Sequence, residues 1–329
     1  MVAVGVAGLL LALGVVIGLI SGRRALGWHR SELVVGHQQV MLGSELHLVV
    51  RRRPRRQRDL PRAAVEARLR CRERATFSAG TDTRTEVTDL VEVSATATGE
   101  GTPRGFEAEL VLRIPVDAGA PSIHLPRNQV VWTISVDTPD PALPGPSDEF
   151  DLRVLPAIDP CLRPEPEPPV EMHPARVAHQ GLALSVDTAM AEVGGSFTGE
   201  ISFRPLPDDD DLRAVRVELY HRTEGRGTAQ RRTVSVVEHQ LERATSLSDR
   251  FLLPVPSDGP VSYDGRSIRV IWEVAAIVDR PRQKDRSVVA GVVVVPAGGS
   301  GLYRAPHPGP QLDEGGQPPR SGPGDPPPT

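Results

Sequence analysis

The sequence predicts an all-β fold in which two tandem antiparallel β-sandwiches follow one N-terminal transmembrane helix. Three observations predict it. The 329-residue chain has only 4% aromatic residues, 33 prolines and 31 glycines punctuate it, and apolar and charged residues alternate at a period of two in several segments. Short strands joined by turns have this composition, and an alternation of period two buries one face of each strand.

The first element is a predicted membrane anchor at residues 1–22. Residues 2–20 carry no charge, and at about 1.5 Å per residue they just cross a bilayer core of about 30 Å. A cleaved signal peptide is the alternative, but no Lys or Arg precedes the apolar run. Arg23 and Arg24 follow it. The positive-inside rule therefore predicts a single-pass protein with the bulk of the chain in the cytoplasm.

Glycines recur at every fourth position of this segment, at Gly14, Gly18 and Gly22. Small residues at this spacing allow two membrane helices to approach closely. Homodimerisation through this face is one interpretation. The other is that glycine is simply common in membrane segments.

Beyond the anchor, the composition divides the chain into two blocks. Residues 33–156 and 176–297 have strand-like alternation, whereas residues 157–175 between them are rich in proline and acids. Such a segment cannot pack as a core element and is predicted to be a linker. The tail at residues 298–329 is rich in Pro and Gly with few bulky apolar residues, so we expect it to be disordered.

The two blocks repeat one pattern. Ser122 lies ten residues before Trp132, and Ser262 lies ten residues before Trp272. In both blocks a valine-rich strand ends on a proline 24 residues after the tryptophan. We also align Gly43 with Gly195 and Phe106 with Phe251. This agreement indicates a duplication.

Each tryptophan is predicted to be the central core residue of its own sandwich. Val130, Trp132 and Ile134 share one face of a strand, and Val270, Trp272 and Val274 share the corresponding face in the second block. A chain with few aromatic residues relies on such large side chains to fill its cores.

The pattern resembles the arrestin-like superfamily, in particular the bacterial sporulation-control proteins with tandem arrestin domains. The residues that carry the resemblance are Phe106, Ile114-Pro115, Pro121-Ser122, Trp132 and Asp137-Thr138-Pro139, and in the second block Phe251, Val255-Pro256, Pro260, Trp272 and Asp279-Arg280-Pro281. The resemblance implies two-lobed scaffolds that act as adaptors without catalytic residues. The first block departs from it, with Ile123-His124-Leu125 where the second has the commoner Tyr263-Asp264-Gly265. The membrane segment is also foreign to the usual layout.

No catalytic, cofactor-binding or metal-binding residue is predicted. The nine histidines are scattered without a metal-ligand spacing, and Cys71 falls on the inward face of a strand, where an inert thiol is expected. The acidic run Asp208–Asp211 is a conceivable calcium ligand set, although such loops usually just face water. Gly99-Glu100-Gly101 and Gly225-Arg226-Gly227 are predicted to be hairpin turns.

A cluster of arginines is the most distinctive local feature, and it consists of Arg51, Arg52, Arg53, Arg55, Arg56 and Arg58. It gives the stretch 51–74 a strong positive charge in a chain whose net charge is −4. Contact with anionic lipid is one interpretation, because each basic residue near such a surface contributes about 1 kcal/mol. Nucleic-acid binding is a weaker one, since no aromatic residues interleave. A solvated loop is the third.

The sequence thus predicts a membrane-anchored, cytoplasm-facing scaffold. Its protein partner would bind to a sandwich edge, the inter-domain groove or the tail. The alternative is an extracytoplasmic β-sandwich protein, tethered or secreted, with a role in envelope structure or adhesion.

Overall fold

The computed structural model describes residues 29–36, 40–55, 62–102, 105–116, 120–139, 147–162, 175–207, 212–226, 228–241, 245–281 and 283–299. Within these ranges the chain is all-β, as predicted, and its sheets are curled. The only helical element in these ranges is a 3-10 turn at Pro160–Leu162. None of the described residues forms a helix long and apolar enough to span a bilayer. The predicted anchor, most of the predicted linker and nearly all of the predicted tail lie outside the described residues.

We number the strands β1 to β20 in chain order. The ten strands before the 3-10 turn are β1 (Glu32–Val35), β2 (Val40–Leu42), β3 (Glu45–Arg52), β4 (Ala63–Ala79), β5 (Asp82–Thr102), β6 (Gly105–Arg113), β7 (Ile123–His124), β8 (Asn128–Asp137), β9 (Asp148–Leu152) and β10 (Val154–Ile158). The ten strands after it are β11 (Ala175–His179), β12 (Leu182–Val186), β13 (Met190–Glu192), β14 (Ser196–Phe203), β15 (Ala214–Gly225), β16 (Thr228–Gln240), β17 (Leu247–Pro254), β18 (Tyr263–Asp264), β19 (Ile268–Asp279) and β20 (Arg286–Val295).

The strands of the N-terminal half (residues 29–162) form one large sheet and one small one. The large sheet has the order β1-β3-β6-β5-β4-β8-β7, with β9 also paired to β8. Strand β5 makes it continuous, because Glu100–Thr102 pair with β6 whereas the rest of β5 pairs with β4. The small sheet is the parallel pair of β2 and β10.

The strands of the C-terminal half (residues 175–299) form two separate sheets. One has the order β11-β12-β14-β17, and the other has the order β13-β20-β19-β15-β16 with β18 paired to β19. Here β16 pairs with β15 and does not continue onto β17, so the sheet that is continuous in the N-terminal half is interrupted in this half. One isolated parallel bridge joins the two halves, between Ala157 and Ala297.

The predicted repeat of serine and tryptophan has the same hydrogen bonds in both halves. The Ser122 hydroxyl accepts from the Val154 amide at 2.9 Å, and the Ser122 amide donates to the Val154 carbonyl at 2.9 Å. Ser262 and Val294 make the same two bonds, at 2.9 and 2.7 Å. The serine therefore joins the chain before each tryptophan strand to the last strand of its half.

Both tryptophans are completely buried. The indole N–H of Trp132 donates to the Ala120 carbonyl at 2.7 Å, and that of Trp272 donates to the Pro260 carbonyl at 3.0 Å. The acceptor lies twelve residues before the tryptophan in each case. A buried indole N–H needs such a partner, and both halves supply it in the same way.

Two of the predicted equivalences are wrong. The Ile114 amide donates to the Ser44 carbonyl and the Val255 amide to the Gly195 carbonyl, so Ser44 corresponds to Gly195. Gly43 is thus equivalent to Gly194 instead, and these two glycines have φ values of 86° and 80°, which favour glycine. The same register matches Phe251 with Leu110 and not with Phe106.

One of the predicted turns is also wrong. Gly99-Glu100-Gly101 lies inside β5. The side chain of Phe106 covers Gly99, where a Cβ atom would collide with the phenyl ring, so this glycine serves close packing and not a turn. The second predicted turn does occur, since Gly225 pairs with Thr228 and Arg226 has a φ of 47°.

Candidate functional site

The arginine cluster divides in the structure into buried and exposed members. Arg52 ends β3 on the inward face with 2% exposure. Its guanidinium lies 3.8 Å from the Asp148 carboxylate and donates to the Thr138 hydroxyl at 2.9 Å. Burial lowers the pKa of Arg52, although nearby Asp148 acts in the opposite direction. Arg52 therefore faces the protein and is not available for contact with lipid.

Acids pair with much of the positive charge of residues 51–74, and most of them lie on other strands. Arg51 donates to Glu107 of β6 at 2.7 Å, and Arg53 lies 3.9 Å from Glu32 of β1. The remaining described pairs are Arg62 with Glu100, Arg68 with Glu66, Arg70 with Glu92, and Arg72 with Asp89 and Glu149. The strong local charge of the sequence is thus compensated in three dimensions. Arg56 and Arg58 lie outside the described residues, and lipid contact by the exposed arginines stays a prediction.

The halves meet at a completely buried carboxylate, Glu73 of β4. The hydroxyl of Tyr263 donates to it, as do the backbone amides of Arg266 at 3.0 Å and Ser267 at 2.6 Å. All three donors are uncharged and belong to β18 and the turn that follows it. Burial raises the pKa of the Tyr263 phenol, and its bond to Glu73 adds to that effect. A buried carboxylate is tolerated only when it is well hydrogen-bonded, so this turn is bound specifically.

Further polar contacts surround Glu73. The Ser267 hydroxyl lies 2.7 Å from the Thr88 hydroxyl of β5, and the guanidinium of Arg226 pairs with Glu86. Together with Glu73 and Tyr263, these residues form what we call the junction: Glu73, Glu86, Thr88, Arg226, Tyr263 and Ser267. It joins the β4–β5 hairpin of one half to two turns of the other.

Two glycines allow the backbone of the C-terminal half to approach the junction. A Cβ atom at Gly265 would collide with the Glu73 carboxylate, and one at Gly225 would collide with the side-chain amide of Asn128. Asn128 is completely buried at the start of β8, and neither of its amide atoms has a hydrogen-bond partner among the described residues. The relative position of the two halves thus requires glycine, which has no side chain, at both of these sites.

A shallow cleft of about 420 Å³ opens beside the junction. Its walls include Arg226, Gly265, Arg266 and Arg269. Arg269 is paired with Asp264 at 2.8 Å, so the cleft presents charges of both signs. No group of three or more metal-ligating side chains is found among the described residues. Asp208–Asp211, the predicted acidic run, lies outside the described residues.

Cys71 and His221 occupy equivalent positions, each directly opposite the tryptophan of its half. Both are buried. Burial raises the pKa of the Cys71 thiol to about 12, which matches the inert thiol predicted from the sequence. Burial lowers the pKa of His221 to about 4, and the nearby Arg232 acts in the same direction. Cys71 and Cys161 are both free thiols, and Cys161 is exposed.

Sequence reasoning missed the junction. Glu73 continues the inward series Val65, Ala67, Leu69 and Cys71, so an acid stands where the period of two requires an apolar residue. That break in the alternation was the available signal. The partners of Glu73 lie about 190 residues away in the sequence, and no local pattern connects them.

Comparison of the chain with protein-family models and with curated proteins finds no match. The resemblance to arrestin-like proteins therefore rests on the sequence pattern alone, and it stays a prediction.

Proposed function

We propose that this chain is a membrane-anchored, arrestin-like scaffold made of two tandem β-sandwiches, and that it binds a protein partner without catalysis. Its bulk would lie in the cytoplasm. The observation that carries the proposal is the junction at Glu73. A carboxylate that is fully buried and bound by three donors favours one relative placement of the halves. A scaffold needs such a placement to present one composite surface.

The edge of β16 is the most suitable surface for the partner. Among the described strands, β16 pairs with β15 alone, and Val236 on it is 49% exposed. An edge strand offers unpaired backbone groups that an extended peptide binds as an additional strand. The bulge opposite Leu219 and Tyr220 interrupts the register of this edge, which disfavours indiscriminate pairing along its whole length.

The native cysteines provide a direct test of the predicted topology. Cys161 is exposed whereas Cys71 is buried, so a membrane-impermeant maleimide reports on Cys161 alone. In intact cells we expect labelling only after permeabilisation, and none in a Cys161→Ser control. Labelling of intact cells would contradict the cytoplasmic location. It would favour instead the extracytoplasmic role in envelope structure or adhesion.

Partner binding is tested by site-specific photocrosslinking in the full-length chain. A photoreactive residue at Val236 is expected to capture a partner, whereas one at the exposed Val111 on β6 serves as the matched control. Glu73→Ala should reduce capture at Val236 if the partner contacts both halves. Equal capture at both sites would contradict binding at the β16 edge.

A further inference from the structure

The described chain begins at the arginine-bearing end of the N-terminal half. The backbone amide of His29 donates to the Arg53 carbonyl at 3.0 Å. Only residues 21–28 separate His29 from the apolar run that ends at Ile20. Even when fully extended, this connection spans about 30 Å. An anchored chain therefore keeps the end that carries Arg53 within that distance of the bilayer.

The strand register brings other arginines to the same end. Arg51 lies opposite Glu107, and Glu107 lies opposite Glu100. Glu100 in turn pairs with Arg62 at 3.0 Å, immediately before β4 begins. Arg30 lies 3.6 Å from the Asp148 carboxylate at the start of β9. One end of the sheet thus collects arginines that are far apart in the sequence.

Four of these arginines point into solvent. The side chains of Arg30, Arg53 and Arg62 are 70%, 72% and 76% exposed, and Arg55 is exposed as well. Arg53 and Arg62 pair with the exposed acids Glu32 and Glu100, and exposed pairs of this kind are weak and exchange readily. Arg30 pairs with the buried Asp148 and donates to the Glu149 carbonyl at 2.8 Å, but its side chain is still largely exposed. A guanidinium binds phosphate oxygens in a bidentate manner, so a phosphate-rich surface would compete for these side chains.

We propose that Arg30, Arg53, Arg55 and Arg62 form a surface, which we call the arginine end, that rests on the anionic headgroups of the membrane in which the chain is anchored. This inference depends on the anchor of the proposed function. It differs from the prediction made from sequence, because Arg52 is buried and Arg30 and Arg62 are added. Glu73 lies eleven residues along β4 from Arg62, about 35 Å at the rise of a strand. The junction and the C-terminal half would then project away from the bilayer.

The full-length chain in lipid nanodiscs allows a test by fluorescence quenching. A fluorophore at Ser147→Cys in a Cys161→Ser background reports on the arginine end, because Ser147 is an exposed, uncharged residue next to Asp148. Native Cys161 reports on the opposite end, near Leu42. A headgroup spin-labelled lipid serves as the quencher. We expect about tenfold stronger quenching at position 147 in discs that contain phosphatidylglycerol than in discs of phosphatidylcholine alone, and little change at Cys161. High salt should remove the difference.

Two triple variants separate specific contact from a general effect of charge. R53Q/R55Q/R62Q should reduce quenching in anionic discs to the level of neutral discs. R84Q/R204Q/R232Q removes the same charge from exposed sites elsewhere and should leave quenching unchanged. Equal quenching in both lipids, or equal loss in both variants, would overturn the inference while leaving the anchor intact. A chain that washes out of the discs would overturn the anchor and the inference together.

Discussion

The two halves of the molecule contain the same serine and tryptophan hydrogen bonds, but they differ at the position where they meet. Position 73 of β4 and position 223 of β15 are equivalent, since they face Val130 and Val270 two residues before the respective tryptophan. The N-terminal half has a buried glutamate there, and the C-terminal half has a buried threonine. The hydrogen bonds that surround the tryptophan are thus the same in both halves, whereas the inward position two residues along the neighbouring strand serves the contact between the halves only in the N-terminal half.

A second difference is whether backbone pairing joins the two groups of strands within each half. In the N-terminal half β5 pairs with β6, and the sheet is continuous. Among the described residues of the C-terminal half, β16 and β17 share no backbone pairing, and the Nδ1 atom of His239 lies 3.2 Å from the Asp249 carboxylate across the gap. The C-terminal half therefore has the more open edge, which is why we place partner binding there.

The largest expected effect comes from removing either tryptophan. Trp132→Ala and Trp272→Ala should each lower the free energy of unfolding by about 3–5 kcal/mol, because each leaves a large cavity in a core. Urea unfolding followed by circular dichroism measures this loss. If the halves unfold independently, each variant should shift only one of two transitions. A loss below 1 kcal/mol in either variant would show that its tryptophan is not a central core residue.

Removing the buried carboxylate should weaken the contact between the halves. Glu73→Ala leaves the Tyr263 hydroxyl and two backbone amides without their acceptor, and we expect a loss of about 3 kcal/mol. Limited proteolysis near Arg226 and Arg266 should become faster. Thr223→Val at the equivalent position of the other half is the control, and it should leave the proteolysis pattern unchanged. An unchanged pattern in Glu73→Ala would mean that the junction does not hold the halves together.

These differences also mark how far the sequence could predict the structure. Strands and the serine–tryptophan repeat were predictable, because a period of two and a fixed spacing are local properties. The length of β5 was not predictable, because Gly99-Glu100-Gly101 has the composition of a turn. Only the ring of Phe106, which packs over Gly99, explains why a glycine lies inside the strand. The junction was not predictable either, because it depends on contacts between residues far apart in the chain. What a buried glutamate binds is decided by tertiary structure alone.

The residues opposite the two tryptophans predict a difference in pH dependence. Burial lowers the pKa of His221 to about 4, whereas an unfolded histidine titrates near 6.5. The unfolded state therefore binds more protons as the pH falls, and stability is lost between about pH 6.5 and pH 4. We expect the free energy of unfolding to fall by about 2 kcal/mol between about pH 7 and pH 5 from this group, measured by urea titrations at each pH.

His221→Cys gives the C-terminal half the residue that the N-terminal half uses at this position. A buried thiol does not titrate in the acid range, so this part of the pH dependence should disappear. The unfolding of the N-terminal half should be unaffected. If the pH dependence persists in His221→Cys, other groups are responsible for it.

The smallest effect sharpens the comparison most, because the two halves should respond alike. Ser122→Ala and Ser262→Ala each remove a hydroxyl that accepts from a backbone amide at 2.9 Å. Each should lower the free energy of unfolding by about 1 kcal/mol, the usual net value of one such bond, and the double variant should be additive because the sites share no partner. Ser248→Ala on the exposed part of β17 is the matched control and should change little. Markedly unequal losses of unfolding free energy would show that the two equivalent hydrogen bonds do not contribute equally to the stability of their halves.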